Sequence, residues 1–462
     1  MLRHRLGKLL IRDDVFWKQR AKTFWYRDGD LNTKFFHAAA TIRRKLNRIE
    51  HLEDGNGFEC RSEDGLKHIA RDYFIQLFQK SNGSRVNVIN LVPTTITKED
   101  NAMLTTPFTV EGFKHATFSM QADKCPGPDG FNPGFYQHFW STYGHEAYQA
   151  GCQWLASGAF PPHVNSTNIT LIPKGDSHTS MKDWRPIALC NVVYKIVAKS
   201  AFVPERSILD NAMVAIEIVH YMKAKAKGKS EDVALKLDIS KAYDRLDWDY
   251  LRDIMTQMGF SSRWVSWIML CVETVDYSVL VNGASVGPIV PGRDLRQGDP
   301  LSPYLFIICV EGLSSLLREA ERCNDIRACE REAFCMKNIL ATYEEALGQA
   351  INLQKSKLFC TRNTPEDLKS LIAATIGVHQ VLGTGKYLGL PSMIGRSKHA
   401  TFKFIKDRIR NKINSWSSRC LSQAGREVLI KSVLKSIHSY VMSVFLLQGS
   451  LINEIEKMLN SF

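Results

Sequence analysis

The amino-acid sequence predicts an α+β fold with a helical C-terminal region. Short β-branched runs at residues 168–173 and 233–239 have the length and composition of strands. They alternate irregularly with longer segments of helical period, which argues against a regular parallel α/β architecture. The 462 residues are enough for two or three packed units.

The first hundred residues are predicted to be a basic helical region that contains one hairpin. Residues up to about Arg48 form an aromatic-rich helix, and residues 48–60 form a hairpin. Asn56 and Gly57 supply the positive φ that its tight turn needs. An amphipathic helix is expected from Gly65 to Phe78, followed by a linker from Ser81 to Thr97.

The central part of the chain alternates helices and strands. A helix over 107–122 ends in the rigid loop CPGPDGFNPG, and an aromatic-rich buried helix follows. Residues 277–290 are predicted to form a second hairpin, turning at Asn282 and Gly283. A long apolar helix spans Pro300–Glu321, since both prolines of this segment lie in or before its first turn. The chain from Ala400 onward is expected to be helical and basic.

The net charge of +13 is concentrated at two places. Residues 1–51 contain 13 basic and 5 acidic side chains, and residues 396–435 contain 11 and 2. This distribution is typical of a protein that grips a polyanion from two sides, but two solvated helices would give the same pattern. The 11 cysteines form no zinc-binding pattern, and the sequence has neither a signal peptide nor a membrane span. We therefore expect reduced thiols and a nuclear or cytoplasmic location without membrane contact.

The strongest local signal is the segment VALKLDISKAYDRLDWDYL, in which an apolar strand ends in Asp238. A carboxylate at a strand end can hold magnesium for phosphoryl or nucleotidyl transfer. The alternative is that Asp238 caps the following helix. Asp244, Asp247 and Asp249 are expected to form a solvated face or internal caps of that helix.

Two further segments carry candidate binding residues. In LRQGDPLSPYLF, Arg296, Gln297 and Gly298 form a stiff loop that a planar ligand could approach, although an ordinary helix N-terminus explains it equally. Lys174 ends a strand and Arg185 lies beside a tryptophan and a proline. Two fixed cations of this kind suit a triphosphate clamp, whereas each alone is more often a surface charge.

Taken together and in order, these segments resemble the reverse-transcriptase region of plant LINE-type (non-LTR) retrotransposon polyproteins. The resemblance covers nearly the whole chain. It rests on KCPGPDG, LIPK with WRPIALCNVVYKI, LKLDISKAYDRLDW, LRQGDPLSPYLF, GQAINLQKSK, KYLGLPS, LSQAGREVLIKS and the upstream FWKQRAKTFWYRDGDLNTKFFHAAA.

The resemblance implies a right-hand polymerase fold with fingers, palm and thumb. Residues 1–95 would be the basic helical N-terminal linker region with its hairpin, and 105–230 the fingers-like region. Residues 231–395 would be the palm-like core, and 396–462 the basic helical thumb-like region.

The resemblance also implies roles for individual residues. Asp238 and the Ile239 carbonyl would bind the catalytic metal, and Lys355 would protonate pyrophosphate. The incoming nucleotide would be bound by Lys174, Arg185, Tyr243 as a steric gate, Arg296, Gln297 and Gly298. The primer grip would consist of Tyr387, Leu388 and Gly389. Magnesium, an RNA template, a DNA primer and deoxynucleoside triphosphates are the implied cofactor and partners; no protein partner is implied.

One essential element of the family is missing from the sequence. The palm hairpin that carries two adjacent aspartates, written F/Y-A-D-D, should lie between LRQGDPLSP and GQAINLQKSK. Instead, a helix ending near Ile326 runs into another starting near Glu332, with no Asp-Asp pair between them. A second omission of about 20 residues falls between Lys199 and Ser200. We therefore expect a reverse transcriptase by family that is inactive as written, because Asp238 alone cannot hold two metals. The alternatives are a non-catalytic nucleic-acid-binding remnant and an unstable pseudogene product.

Overall fold

The structure is a computed structural model of the full chain. It describes residues 9, 33–81, 83–175, 178–200, 221–222, 232–323, 329–361, 363–380, 386–387, 390–391, 397–417, 426–427 and 429–462. As predicted, the architecture mixes helices with sheets, and its C-terminal part is helical.

A four-stranded sheet forms the centre of the molecule. Its strands are β3 (Ser166–Pro173), β4 (Trp184–Cys190), β7 (Asp276–Val281) and β8 (Ala284–Ile289), in the order β4-β3-β7-β8. The two hairpins β3–β4 and β7–β8 are antiparallel, and they join through the parallel pair β3–β7. The sheet therefore combines strands from both sides of the boundary between 230 and 231 that the resemblance implied.

The sequence explains the second of these hairpins. Asn282 and Gly283 have φ angles of 51° and 93°, the left-handed pair that a type I′ turn requires. Alternate residues Tyr277, Val279 and Val281 are buried, which places the apolar side of the strand on the core. The predicted hairpin over 277–290 is confirmed.

The predicted strand over 233–239 is interrupted. It forms β5 (Val233–Lys236) and β6 (Ile239–Ser240), with Asp238 between them. β5 pairs with β10 (Lys357–Cys360), and β10 pairs with β11 (His379–Gln380). β6 pairs with β9 (Ala350–Ile351) in a separate two-stranded ribbon. Within the described part of the chain, β5 has a partner on one side only, so it is an edge strand.

Helices surround these sheets. Their bounds are α1 Thr33–Leu46, α2 Glu63–Leu77, α3 Val86–Ile89, α4 Lys98–Leu104, α5 Val110–Phe118, α6 Pro133–His138, α7 Trp140–Ser157, α8 Val192–Ser200, α9 Trp248–Met258, α10 Ser262–Glu273, α11 Ser302–Arg322, α12 Cys329–Leu347, α13 Glu366–Ile376, α14 Lys398–Ser417, α15 Lys435–Met442 and α16 Gly449–Ser461. A 3₁₀ turn at Met181–Asp183 and a π-helical turn at Ile430–Leu434 complete the set. None of these described helices is long and apolar enough to cross a membrane.

Most of the predicted helices are present, with different ends. The helix predicted over 107–122 covers only Val110–Phe118, because the Thr109 side chain accepts a hydrogen bond from the Gly112 N–H and so caps its first turn. The predicted linker from Ser81 to Thr97 contains the short helix α3, whose Val88 is fully buried. The helix predicted from Pro300 begins at Ser302 and ends at Arg322.

The N-terminal hairpin consists of β1 (Leu52–Glu53) and β2 (Glu59–Cys60), as predicted for residues 48–60. It is attached to the central sheet through the turn residue Asn282. The Asn282 side chain accepts a hydrogen bond from the Ile49 N–H and donates one to the Ile49 carbonyl, both at 2.9 Å. The part of the predicted N-terminal helix that precedes Thr33 lies outside the described residues, apart from Leu9.

Three groups of buried apolar side chains hold the chain together. The largest includes the central sheet and helices α2, α9, α10 and α11. A smaller one lies around Leu358 and Ile372, beside β10. A third joins α14, α15 and α16 through Phe402, Val441 and Leu451, and it includes Leu390 of the hairpin β12 (Lys386–Tyr387) and β13 (Leu390–Pro391).

Close packing between α9 and α11 depends on a glycine. An added Cβ at Gly312 would lie 2.0 Å from the hydroxyl of Tyr250 and 2.9 Å from Val88. Tyr250 is fully buried and donates to the Cys309 carbonyl, so moving its hydroxyl group would break this hydrogen bond.

We predict that Gly312→Ala lowers the free energy of unfolding by about 1–3 kcal/mol, because overpacking outweighs the gain in helix propensity. Urea denaturation measures the difference. The control is Gly449→Ala, since a Cβ there meets nothing within 4 Å. Equal stability of the two variants would contradict the packing argument.

Candidate functional site

A cavity of about 670 Å³ lies between helix α2, the β3–β4 hairpin and the strands on either side of Asp238. It is lined by Tyr73, Gln76, Leu77, Lys174, Lys182, Asp183, Asp238, Ile239, Ser240, Lys241, Arg245, Arg293, Asn352 and Lys355. Four residues that the sequence predicted for a single site therefore share one cavity, namely Asp238, Ile239, Lys174 and Lys355.

The backbone of Asp238 is held on both sides by the segment that follows β9. Its N–H donates to the Ser356 hydroxyl at 3.0 Å, and its carbonyl accepts from the Asn352 N–H at 2.7 Å. The next residue, Ile239, pairs with Ile351 in the antiparallel ribbon β6–β9. Since the backbone is bound, the carboxylate is presented from a rigid position at the cavity wall.

Asp238 is not a helix cap. The helix cap after this segment is Asp247, whose carboxylate accepts from the N–H groups of Asp249 and Tyr250. The alternative in which Asp238 caps the helix is therefore wrong, because α9 begins only at Trp248. The expectation of an internal cap is confirmed for Asp247. Asp249 instead pairs with Lys80 at 2.5 Å.

Asp244 differs from the expectation of a solvated face. It is only 8% exposed, and burial raises the pKa of its carboxyl group. The positive charges of Lys241, Lys174 and Arg245 oppose that rise. Asp244 therefore lies behind the cavity wall as a buried acid among basic side chains.

Basic side chains dominate the cavity wall. Lys174 donates to the Lys182 carbonyl at 2.6 Å, which holds it against the loop of the β3–β4 hairpin. Burial, and then the charge of Lys355, lower the pKa of Lys174. Of the two acidic residues that line the cavity, Asp183 accepts from the Ser180 N–H at 3.0 Å in a capping box. The lining therefore holds six basic and two acidic side chains, an excess that attracts anions.

Lys241 occupies an unusual position in this wall. Its φ of 52° is in the left-handed region, and its ammonium group lies 4.2 Å from the centre of the Tyr73 ring. Burial lowers the pKa of Lys241 to about 8, and the charge of Arg245 acts in the same direction. A strained, desolvated lysine in a cavity is a frequent feature of functional sites.

Arg296 lies outside the cavity, in the protein core. It is 5% exposed and forms a 2.9 Å ion pair with Asp299. Its guanidinium also donates to Tyr194, Asn165 and the Cys271 carbonyl. The structure thus places Arg296 as a connection between elements rather than beside a planar ligand.

The neighbouring loop residues also lie away from the cavity lining. The Gln297 carbonyl accepts from the Ala188 N–H at 2.9 Å, so the loop continues the edge of β4. Gly298 has a φ of 110° and would place a Cβ 3.3 Å from the Ala188 carbonyl. Tyr243 is half-buried, with its ring 5.2 Å from that of Phe306. Burial raises the pKa of Tyr243.

The remaining predicted site residues are in two places. Arg185 is exposed on β4, where its charge reaches Lys174. Tyr387 ends β12 in the hairpin with β13, whereas Leu388 and Gly389 lie outside the described residues. Leu390 joins this hairpin to the C-terminal core.

Several cavity residues were missed by the sequence analysis. Lys241 and Arg245 lie three and seven residues after Asp238, so their proximity to it was a usable signal. Arg293 and Lys182 had no such signal, since chain folding alone brings them to the cavity. Tyr73 lies 165 residues before Asp238 and reaches it only because α2 packs on this side of the sheet.

The acidic residues at the cavity do not match a two-metal centre. Two-metal catalysis needs carboxylates that bridge cations about 4 Å apart. Among the residues that the structure describes, no group of three or more histidine, cysteine, aspartate or glutamate side chains could hold a metal ion. In the part of the cavity lining that the structure describes, the one other carboxylate is that of Asp183, whose oxygen is engaged in a capping box.

These features define a class of protein: an α+β protein with a strand-end aspartate in a cation-rich cavity, suited to phosphate-containing ligands. Comparison with known proteins identifies the family. Residues 172–391 match the family model described as reverse transcriptase (RNA-dependent DNA polymerase). This part of the chain is a reverse-transcriptase domain of the non-LTR retrotransposon type.

The relatives support that assignment. The chain is 28% identical over 313 residues to the Transposon TX1 uncharacterized 149 kDa protein of Xenopus laevis, covering 63% of this chain and 24% of that protein. It is 25% identical over 247 residues to the Pol polyprotein from the type-2 retrotransposable element R2DM of Drosophila melanogaster, covering 50% and 23%. A 42-residue segment is 62% identical to the uncharacterized mitochondrial protein AtMg01250 of Arabidopsis thaliana, covering 9% and 34%. The chain thus spans from about a quarter to a third of these relatives' own lengths.

We predict that Arg296→Met lowers the free energy of unfolding by about 3–5 kcal/mol, because it leaves the buried Asp299 carboxylate without its cation. Chemical denaturation followed by circular dichroism measures this. The control is Arg263→Met, since Arg263 lies over the face of Trp267 and has no buried acidic partner among the described residues. A loss no larger than that of the control would contradict the role of Arg296 as a core connection.

We also predict that binding of inorganic tripolyphosphate weakens as the pH rises above about 8, where Lys241 loses its proton. The pKa of Lys241 is depressed in the folded protein, so its charge is present below pH 8 and is lost above it. The affinity falls by up to about tenfold per pH unit from this group. Isothermal titration calorimetry should show a shallower decline for Lys241→Arg, which stays charged; identical pH profiles would exclude Lys241 from the site.

Proposed function

We propose that this chain is a reverse-transcriptase domain, an RNA-directed DNA polymerase by descent, that binds nucleotide and nucleic acid but does not polymerise DNA as written. The observation that carries the proposal is the composition of the cavity. It combines Asp238 with a surplus of lysine and arginine side chains, and the one other acidic residue in its described lining, Asp183, is engaged in a capping box.

The binding part of the proposal rests on charge and position. Lys174 and Lys355 line the same cavity as Asp238, in the arrangement that suits a nucleotide's triphosphate. In the C-terminal region, α14 buries Phe402, Ile405 and Ile409. The same helix exposes Lys403 and Arg410 two turns apart, a surface that suits contact with a nucleic-acid backbone without reading its sequence.

The inactive part of the proposal rests on sequence and sheet topology together. No Asp-Asp pair occurs between Arg322 and Gly348. In the described part of the chain, β5 is an edge strand beside Asp238, which is where a missing hairpin would leave an unpaired strand. Magnesium would supply charge neutralisation and nucleophile activation in an active relative. Of the described cavity residues, Asp238 and the Ile239 carbonyl could contribute to one metal site, but no free pair of carboxylates is present to bridge two metals.

The junction where the hairpin is expected involves residues 324–328, which lie outside the described residues. Sequencing the genomic locus and the full-length transcript across the codons for Ile326 to Glu332 tests the deletion directly. An in-frame block that encodes two adjacent aspartates and is retained in mature RNA would replace the proposal with that of an active polymerase. A continuous reading frame without such a block supports it.

We predict that the purified chain binds an RNA template annealed to a DNA primer. It does not extend that primer when deoxynucleoside triphosphates and Mg²⁺ are supplied. Fluorescence anisotropy measures binding, and gel electrophoresis measures extension. Because the contacts are to phosphates, the logarithm of the binding constant should fall linearly with the logarithm of salt concentration.

A second variant separates missing catalysis from misfolding in this prediction. The chain with an F/Y-A-D-D hairpin inserted between 323 and 329 should regain extension, and the same insertion with both aspartates changed to asparagine should not. Extension by the unmodified chain would overturn the proposed inactivity. Absence of salt-dependent binding together with non-cooperative unfolding would favour the alternative of an unstable product.

A further inference from the structure

We propose that Lys241, Arg245 and Arg293 form a second anion subsite in the cavity, which binds a single phosphate group against helix α2. The inference deepens the proposed function and rests on it, since the phosphate belongs either to a nucleic-acid strand or to a nucleotide. We call these three residues the arginine subsite.

The charges in the cavity separate into two groups. Lys174 interacts electrostatically with Lys355, Asp244, Arg185 and Asp183, on the side of the β3–β4 hairpin. The charges that act on Arg293 are those of Arg245 and Asp247. The arginine subsite therefore has electrostatic neighbours different from those of Lys174, and Asp244 interacts electrostatically with both groups, through Lys174 on one side and through Lys241 and Arg245 on the other.

Arg245 repels the other two cations of the subsite. Burial and the positive charge of Arg245 lower the pKa of Arg293. The acidic groups that face them are Asp244 and Asp247. Burial raises the pKa of Asp244, and one oxygen of Asp247 is engaged in capping α9. Asp244 and Asp247 offset part of this repulsion, and a bound anion would add a further negative charge.

Hydrogen-bonding groups in the subsite are also left unused. Across the residues that the structure describes, Arg245 has no side-chain hydrogen bond and no ion pair within 4 Å, and its Nε is buried without a partner. The Tyr73 hydroxyl is likewise buried without a hydrogen-bond partner among the described residues. Arg293 donates to two carbonyls, those of Leu77 at 2.9 Å and Gly348 at 3.4 Å, so its hydrogen bonds fix its position without neutralising its charge.

The chemistry of the ligand follows from these groups. Two guanidinium groups present planar arrays of donors that match phosphate oxygens, and an ammonium group adds a point charge. A carboxylate would match the charge as well, but the cavity of about 670 Å³ accommodates a larger phosphate-containing molecule that also reaches the lysines near Asp238. The subsite therefore suits one phosphate of an extended ligand.

The subsite makes helix α2 part of the binding cavity. Tyr73, Gln76 and Leu77 form its wall, and they lie well before residue 172, where the match to the reverse-transcriptase family begins. Tyr73 holds Lys241 through its ring, and the Leu77 carbonyl holds Arg293. The segment upstream of the family match thus positions two of the three cations.

The test compares Arg245→Gln and Arg293→Gln with the wild-type chain, using three probes: a short single-stranded RNA, a deoxynucleoside triphosphate and inorganic tripolyphosphate. The matched control is Arg61→Gln, because Arg61 is exposed and pairs with Glu59 on the N-terminal hairpin. Thermal unfolding of each variant shows whether its fold is preserved. Binding in EDTA removes any contribution from divalent metal.

The probes distinguish the two sources of the phosphate. If it belongs to a nucleic-acid strand, each substitution lowers RNA affinity and reduces the magnitude of the salt slope by about 0.7, while nucleotide binding is unchanged. If it belongs to a nucleotide, both substitutions weaken binding of the triphosphate and of tripolyphosphate several-fold. The Arg61→Gln control leaves all three affinities unchanged, and Arg245→Lys retains part of the lost affinity in either case.

A second measurement on the wild-type chain is independent of variant stability. Phenylglyoxal modifies arginine side chains, and peptide mapping locates the adducts. RNA should protect Arg245 and Arg293 if the phosphate belongs to a strand, and tripolyphosphate should protect them if it belongs to a nucleotide, while Arg61 stays reactive in both cases. Wild-type affinities in both substituted variants, or no protection of either arginine, would overturn the subsite while leaving nucleic-acid binding by the chain intact. If the wild-type chain binds neither RNA nor a deoxynucleoside triphosphate, the proposed function is overturned as well.

Discussion

The buried ion pair between Arg296 and Asp299 is the interaction on which the arrangement of the domain depends. Arg296 reaches Asn165 at the start of β3, Tyr194 in α8 and the Cys271 carbonyl in α10. These elements come from distant parts of the sequence, and the guanidinium satisfies an acceptor on each. A buried charge without its partner is costly, so only one relative position of these elements is stable.

This constraint has a consequence for the cavity. With Arg296 fixed, the loop that it belongs to lies along the edge of β4, where the Gln297 carbonyl accepts from Ala188. Leu295, the residue before Arg296, attaches this loop to the turn at Tyr243, because the Leu295 N–H donates to the Tyr243 carbonyl at 2.9 Å. The turn that contains Tyr243 also carries Lys241 and Arg245, so the packed core holds the cavity cations in place. Arg296 thus stabilises the core, whereas Lys241 and Arg245, in the turn bonded to the neighbouring Leu295, line the cavity.

The cavity is electrostatically unbalanced in the absence of a ligand. Burial and mutual repulsion lower the pKa values of Lys174, Lys241 and Arg293. Such an arrangement opposes folding slightly and favours anion binding strongly, because a phosphate removes the repulsion at the moment it binds. An active relative would balance part of this charge with catalytic carboxylates and metal. Among the described residues that line the cavity, Asp238 is the one acid that is not engaged in a cap, which explains why binding without polymerisation is the function we propose.

Local sequence patterns are enough to predict the elements whose causes lie within a short segment. The turn at Asn282 and Gly283, the apolar helix from Ser302, the helical C-terminal region and the membership of residues 172–391 in a polymerase family follow from patterns within short segments. Tertiary structure alone decided which charges meet. Arg296 is buried although its motif indicated a ligand-facing loop, Asp244 is buried although a solvated face was expected, and Tyr73 joins a cavity 165 residues away. The reason is physical: burial and charge proximity are properties of packing between distant segments, and a local sequence pattern contains no record of them.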